Sequence, residues 1–179
     1  MLRALLLPLA VAAAAALAGC GSGAAAANDN GALPALRGRV VDNAQMLPAD
    51  AEARLTARLA ALEKSTSDQL VVVTVPSLRG ETIESYGLRL GTGWGIGQKA
   101  LDNGVLLIVA PDEKRARIEV GRGLEGLLTD ARAAAILKNA EKRVCAGNAA
   151  AINGVVGQIV RALEQDRRRP QPWLVKKAA

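Results

Sequence analysis

The sequence contains, at residues 104–120, the run GVLLIVAPDEKRARIEV. Its first seven residues are continuously apolar, which predicts a β-strand that is buried on both faces. After a short polar turn at residues 111–114, the last six residues alternate between polar and apolar side chains, which predicts a strand with one solvent-facing side. Because the connection is so short, the two strands are expected to form an antiparallel hairpin.

Strand and helix patterns alternate along the rest of the chain. A second β-branched run occupies residues 70–75, and a short extended segment lies at residues 40–42. Apolar residues at helical spacing predict helices, and these begin near Pro48, Glu81, Thr129 or Asp130, and Asn148. The second is expected to end near Leu90, where glycines follow, and the third to reach Val144. The resulting order, β-α-β-α-β-β-α-α, predicts the α/β class: a three-layer α/β/α sandwich whose mixed central sheet contains the antiparallel hairpin and carries helices on both faces.

The composition excludes several classes of function. The 179 residues suit a single domain. The chain has no histidine, which rules out Ser-His-Asp and Cys-His catalysis and every histidine-ligated zinc site. Residues 21–166 hold 17 basic and 17 acidic side chains, so the net charge of +6 comes from the two ends of the chain. Without a basic face or interleaved aromatic residues, we expect no nucleic-acid partner.

The N-terminus predicts export. A positive start is followed by an apolar run at residues 4–18, which is shorter than the ~20 residues of a membrane-spanning helix and typical of a signal peptide. Leu17-Ala18-Gly19-Cys20 resembles the bacterial lipobox, in which Cys20 is lipidated and becomes the first mature residue. The alternative is ordinary cleavage that leaves Cys20 as a free thiol. By resemblance to Gram-negative sorting rules, the absence of Asp after Cys20 favours the outer membrane.

Four segments follow from these patterns. They are a lipoprotein signal peptide at residues 1–19, a flexible tether at 20–37, an α/β domain at 38–165 and a basic tail at 166–179. The tail is interpreted as a solvated end, with contact to anionic lipid as the alternative. Cys145 is interpreted as a buried apolar residue, with a reactive thiol as the alternative. We therefore expect a periplasm-facing protein, attached to the membrane by its N-terminal lipid.

Oxygen-bearing side chains are expected to meet at one end of the sheet. If the hairpin turn centres between residues 112 and 113, Asp102 lies opposite Gly123 and Gly104 opposite Gly121. The group that this register brings together is Asp102, Asn103, Glu125 and Asp130, with Asp42 as a further member. Such ligands suit Ca²⁺ or Mg²⁺, which would also relieve repulsion among the carboxylates. The alternative is that residues 102–104 form only a turn and that Asp130 only caps a helix.

The glycine motif Gly121-x-Gly-x-x-Gly126 matches the dinucleotide-binding fingerprint in sequence but not in its expected structural context. In that fingerprint the helix begins within the glycine motif, whereas here it is expected near Asp130. The preceding strand is also a hairpin partner instead of the first strand of a βαβ unit. We therefore expect no nucleotide cofactor.

Several motifs together resemble the TPM domain family, which includes YgcG-like bacterial proteins and thylakoid-lumen proteins tied to photosystem II repair. The motifs occur in order at residues 38–42 (GRVVD), 47–48 (LP), 69–76 (QLVVVTVP), 94–97 (WGIG), 102–107 (DNGVLL) and 117–126 (RIEVGRGLEG). The resemblance implies an α/β/α sandwich, calcium binding as in some members, and the acid phosphatase activity proposed for a plant member. It carries the family's acidic positions onto Asp102, Glu125 and Asp130, with Asp42 and Glu119 added.

Three functions are consistent with these features. The first is a lipid-anchored accessory or binding module of the cell envelope that uses Ca²⁺ or Mg²⁺ and assists an envelope protein in the assembly or maintenance of membrane proteins. The second is a purely structural interaction domain. The third is a metal-dependent phosphatase, although no residue stands out as a catalytic nucleophile or acid.

Overall fold

The structure is a computed structural model that describes residues 32–167. The expected signal peptide, Cys20 and nearly all of the basic tail lie outside the described residues. From Leu33 onward the described residues form one compact unit. Among these residues, no helix combines the length and the apolar character needed to cross a membrane.

The described elements follow the predicted order. They are β1 (Val40–Asp42), α1 (Ala49–Thr66), β2 (Gln69–Thr74), α2 (Ile83–Trp94), β3 (Gly104–Ala110), β4 (Arg115–Val120), a 3-10 turn (Arg122–Leu124), α3 (Asp130–Lys138), α4 (Glu141–Cys145) and α5 (Ala149–Arg167). The sheet order is β1-β2-β3-β4, with β1, β2 and β3 parallel and β4 antiparallel to β3. The predicted α/β/α sandwich with a mixed sheet and an antiparallel hairpin is confirmed.

Strand β3 lies at the centre of two hydrophobic cores, because its alternate side chains point to opposite faces of the sheet. Leu106 and Ile108 pack in the smaller core beneath α2. Leu107 and Val109 pack in the larger core, which is built with α1, α3, α4 and α5. This burial on both faces explains why β3 is a continuous apolar run.

Helix α2 continues past the position where the sequence indicated its end. It was expected to stop near Leu90 because of the glycines that follow, but it runs to Trp94 and ends at Gly95, which has φ 60°. An added Cβ at Gly87 would lie 2.9 Å from Cδ1 of Ile108. Glycine at this position therefore lets the helix approach the sheet closely.

The third predicted helix is divided into two. The sequence indicated one helix reaching Val144, whereas α3 ends at Lys138 and α4 begins at Glu141. Asn139 is a poor helix former, and the N–H of Ala140 donates to the carbonyl oxygen of Leu137 at 2.8 Å, which closes the first helix with a tight turn.

Candidate functional site

A cleft of about 770 Å³ lies beside α2, where β3 begins and β4 ends. We call it the glycine cleft, because it is lined by Gly87, Gly91, Gly95, Gly97, Gly104 and Gly121. Its charged lining residues are Lys99, Asp102, Glu119, Arg122 and Glu125. The volume lies within the range of ligand sites in proteins.

The hairpin register brings the loop before β3 against the chain that leaves β4. The N–H of Gly121 donates to the carbonyl oxygen of Gly104 at 2.8 Å, and the N–H of Gly123 donates to that of Asp102 at 3.1 Å. These are the two pairings expected from the position of the turn, and the strand register confirms them. An added Cβ at Gly121 would overlap the carbonyl oxygen of Asp102, so this approach requires glycine.

Three of the expected site residues share the glycine cleft: Asp102, Glu119 and Glu125. Asp102 and Glu125 are exposed. Glu119 is more enclosed and its Oε2 accepts a hydrogen bond from Nε of Arg117 at 2.6 Å, which compensates its charge. The cleft therefore presents two exposed carboxylates and a third that is already paired.

Asn103 links two loops beneath the cleft through hydrogen bonds. It is buried, its Nδ2 donates to the carbonyl oxygen of Ser67 at 2.7 Å, and its Oδ1 accepts from the N–H of Gln98 at 2.7 Å. The same amide nitrogen lies 3.4 Å from Oδ1 of Asp68. Because these bonds occupy the side-chain amide, Asn103 holds two loops together and does not face the cleft as a ligand.

Asp42 lies at the opposite end of the sheet from Asp102. Strands β1 and β3 are parallel, so the carboxyl end of β1 is next to the carboxyl ends of β2 and β3. The carboxylate of Asp42 accepts hydrogen bonds from the N–H groups of Met46 (3.0 Å) and Leu47 (2.7 Å) and from the hydroxyl of Thr74. Asp42 therefore orders the turn that leads into α1.

Asp130 is exposed at the first position of α3, outside the glycine cleft. Of the two expected caps, Thr129 is the one observed, because its Oγ1 accepts from the N–H of Arg132 at 3.3 Å. Asp130 instead lines a different cleft, which runs along the outer edge of β4.

The six expected ligands are thus divided between four places. Within residues 32–167, no group of three or more acidic or cysteine side chains is arranged to hold a metal ion. Ca²⁺ takes about 6–8 oxygen ligands and Mg²⁺ takes six. A cation at Asp102 and Glu125 would therefore keep most of its coordination from water and nearby carbonyl oxygens.

Sequence reasoning missed two residues that line the same cleft, Lys99 and Leu88. Lys99 and Arg122 add positive charge beside the carboxylates, and Leu88 is an apolar side chain that is 66% exposed. The sequence signal is the spacing of Gly87 and Gly91 in α2, four residues apart, which places them on one helical face.

Cys145 is buried, as expected, in the larger core. Burial raises the pKa of its thiol to about 11, and the nearby carboxylate of Glu141 acts in the same direction. Little thiolate is therefore present at neutral pH, and Cys145 is not a candidate nucleophile.

Comparison with known proteins identifies the family. The family model that describes the TPM domain matches residues 40–162 of this chain. The chain belongs to the TPM domain family. No curated protein matches the sequence.

Three solved structures resemble this TPM domain. The N-terminal domain of a P. gingivalis protein is 30% identical, with 71% of this chain and 82% of that chain covered and a TM-score of 0.65. The N-terminal domain of a Corynebacterium glutamicum protein is 16% identical, covering 75% and 85%, with a TM-score of 0.56. Protein BA42 of Bizionia argentinensis is 18% identical, covering 66% and 82%, with a TM-score of 0.51. The last two similarities show the fold alone.

The WGIG motif of this TPM domain forms the rim of the glycine cleft. The indole N–H of Trp94 donates to the carbonyl oxygen of Pro34 at 2.7 Å. The N–H of Gly97 donates to Oε1 of Gln69 at 2.7 Å, and φ at Gly97 is 95°. The motif therefore fixes the loop between α2 and β3 through bonds to two distant segments, and Trp94 packs against the smaller core.

Proposed function

We propose that this protein is a lipid-anchored accessory module of the cell envelope whose TPM domain binds Ca²⁺ or Mg²⁺ in the glycine cleft. In this proposal the cation lies between Asp102 and Glu125, with Glu119 nearby. The single observation that supports the proposal most directly is that two exposed carboxylates line one cleft with a third.

The chemistry of the cleft fits a weakly bound hard cation. Carboxylate oxygens are ligands that Ca²⁺ and Mg²⁺ prefer, whereas the Arg117 guanidinium already pairs with Glu119. A site with few protein ligands keeps several waters and binds weakly. We therefore expect an affinity like that of extracellular calcium modules, with a Kd of about 10⁻⁴–10⁻³ M.

The accessory role rests on the lipobox-like sequence and on an exposed apolar side chain at the cleft. Cys20 in its lipobox-like motif would attach the protein to the outer membrane, facing the periplasm, and the residues between Cys20 and Leu33 would serve as the tether, because Leu33 already packs on the domain. Leu88 exposes most of its apolar surface on the cleft wall. An exposed apolar side chain beside a cation site suits contact with another envelope protein, and this contact is how the domain would assist the assembly or maintenance of membrane proteins.

Thermal unfolding with and without cation tests the proposal. The full chain, freed of metal with a chelator, should gain about 2.7 kcal/mol of stability when Ca²⁺ or Mg²⁺ is present at about 100 times its Kd. Asp102→Asn removes one charge and keeps the side-chain shape, so this gain should be lost or strongly reduced. Asp112→Asn is the matched control, because Asp112 is also exposed but lies in the hairpin turn at the other end of the sheet.

The three possible outcomes lead to different conclusions. A shift in melting temperature that Asp102→Asn abolishes and Asp112→Asn preserves supports the cleft as the cation site. An unchanged melting temperature in the unmodified chain rejects the cation and leaves a structural interaction domain. An equal shift in all three proteins places the cation elsewhere.

A metal-dependent phosphatase is the second candidate, because Arg122 and Lys99 line the same cleft as the carboxylates. An arginine beside a bound cation would hold phosphate oxygens, while the cation would activate water. Phosphate release from a small phosphate ester should then require added Mg²⁺ or Ca²⁺ and decrease strongly in Arg122→Ala. Turnover that this substitution leaves unchanged would be attributed to a contaminant.

A further inference from the structure

Strand β4 forms one outer edge of the sheet, because the strand order ends there. The N–H of Gly121 donates to the carbonyl oxygen of Gly104 in β3, so odd-numbered residues of β4 direct their backbone groups toward β3. Even-numbered residues direct them outward. The N–H of Ala116 illustrates this, since it donates to Oε1 of Glu141 at 2.9 Å.

A cleft of about 720 Å³, which we call the edge cleft, runs along this outer side of β4. It is lined by residues 115–118 of β4, by the start of α2 and by the outer face of α3. The backbone groups of Ile118 and Val120 point to this side, because both residues are even-numbered. An outward row of N–H and C=O groups is a template for pairing with another strand, and here the Ala116 N–H is excluded from that row because it already donates to Glu141.

We propose that two copies of this chain pair through β4, antiparallel and about a two-fold axis at Ile118, so that their sheets become continuous. A second copy is the occupant of the edge cleft because the strand is complementary to itself, as the side chains on both faces indicate. This proposal goes beyond the cation site and does not depend on it.

Charge complementarity selects the register. Arg117 and Glu119 already pair within each chain at 2.6 Å. With Ile118 opposite its own copy, Arg117 also lies opposite Glu119 of the second copy, so the two pairs form one cluster of alternating charges, and opposite charges on facing positions stabilise a strand pair. A two-fold axis at Arg117 would instead place two arginines opposite each other, and an axis at Glu119 would place two glutamates opposite each other. Like charges at such positions are destabilising. On the other face, Ala116 lies opposite Val120 of the second copy, which is an apolar pair.

Helix α3 offers a matching surface in the layer beside the strand. Its outer face carries the exposed residues Ala131, Ala134 and Ala135, with Asp130 before them and Lys138 after them. The two-fold axis that pairs β4 also places the two α3 helices side by side and antiparallel. Small side chains allow helix axes to approach to about 8 Å, and the symmetry brings Asp130 of one copy toward Lys138 of the other.

Sedimentation velocity of the full chain tests the proposal. The protein, in mild detergent because residues 4–18 are apolar, should form a dimer that dissociates on dilution. Ala134→Arg places a long charged side chain in the α3 contact and should raise the dimer dissociation constant at least about tenfold, a loss of about 1.4 kcal/mol. Arginine is a good helix former, so the variant should fold. Ala57→Arg, at an exposed position of α1, is the matched control and should leave the dimer unchanged.

A charge exchange tests the register separately. Arg117→Glu puts glutamate opposite Glu119 of the second copy and should also weaken the dimer about tenfold or more. The double variant that adds Glu119→Arg restores opposite charges and should recover most of the affinity. Melting followed by circular dichroism checks that each variant is folded. Three results would each overturn the proposal. They are a monomer at all concentrations, a dimer that Ala134→Arg does not weaken, and a double variant whose dimer dissociation constant is as high as that of Arg117→Glu.

Discussion

Alanine in place of Gly121 is expected to lower the free energy of unfolding by roughly 2–4 kcal/mol. Its methyl group would overlap the carbonyl oxygen of Asp102 and lie 3.0 Å from that of Gly104. Both oxygens belong to the backbone, so the overlap is relieved only when β4 moves away from the start of β3. Overpacking costs about 1–3 kcal/mol, and the 2.8 Å bond from Gly121 N–H to Gly104 contributes a further ~0.5–1.5 kcal/mol when it weakens.

Thermal and urea unfolding followed by circular dichroism measure this loss, which corresponds to a decrease in melting temperature of about 2–4 °C for each kcal/mol. Gly154→Ala is the matched control. Gly154 is exposed within α5, and an added Cβ there meets no atom within 4 Å. Because alanine is favoured over glycine inside a helix by about 0.5–1 kcal/mol, this variant should be more stable than the unmodified chain. If both variants shifted in the same direction by similar amounts, the close approach at Gly121 would not be the cause.

The two cysteines lead to two further predictions. Burial raises the pKa of the Cys145 thiol from 9.0 to about 11, so the unfolded chain loses this proton first and the stability that the thiol contributes is lost as pH rises from about 9 to 11. Cys145→Ala should remove this part of the alkaline decrease in the free energy of unfolding measured in urea, and an unchanged slope would contradict the assignment. Cys20→Ala should release the protein from the membrane pellet into the soluble fraction after cell fractionation, whereas Cys145→Ala should remain in the pellet. Retention of both variants would argue against a lipid anchor at Cys20.

The sheet and its hairpin register could be predicted because the signals are local. The continuous apolar run of β3, the alternation in β4 and the short turn between them determine strand type, direction and register together. Helix ends were less predictable. The glycines of α2 indicate a helix end when only the sequence is considered, but contact with Ile108 in the sheet makes Gly87 favourable inside the helix.

The candidate site was predicted in part, because residue type alone does not reveal which partner a carboxylate or amide will find. Asp102 and Glu125 lie in the same cleft because of the hairpin register, and this register can be predicted from the position of the short turn. The side-chain amide of Asn103 donates a hydrogen bond to the carbonyl oxygen of Ser67, thirty-six residues away. This contact depends on how β2 lies beside β3. Asp42 lies at the far end of the sheet because β1 runs parallel to β3, and strand direction across a helical crossover cannot be read from a three-residue strand.

One glycine of α2 is not explained by packing. A glycine inside a helix costs about 0.5–1 kcal/mol relative to alanine, so each one calls for a compensating reason. Gly87 has one, since an added Cβ would come within 2.9 Å of Ile108. At Gly91 the nearest atom would be Cδ1 of Leu106 at 3.5 Å, an ordinary contact that alanine would tolerate. Gly91 lines the glycine cleft. Departures from local preference that packing does not require tend to occur at functional sites, so a glycine at this wall is consistent with a cleft that must keep space for a ligand.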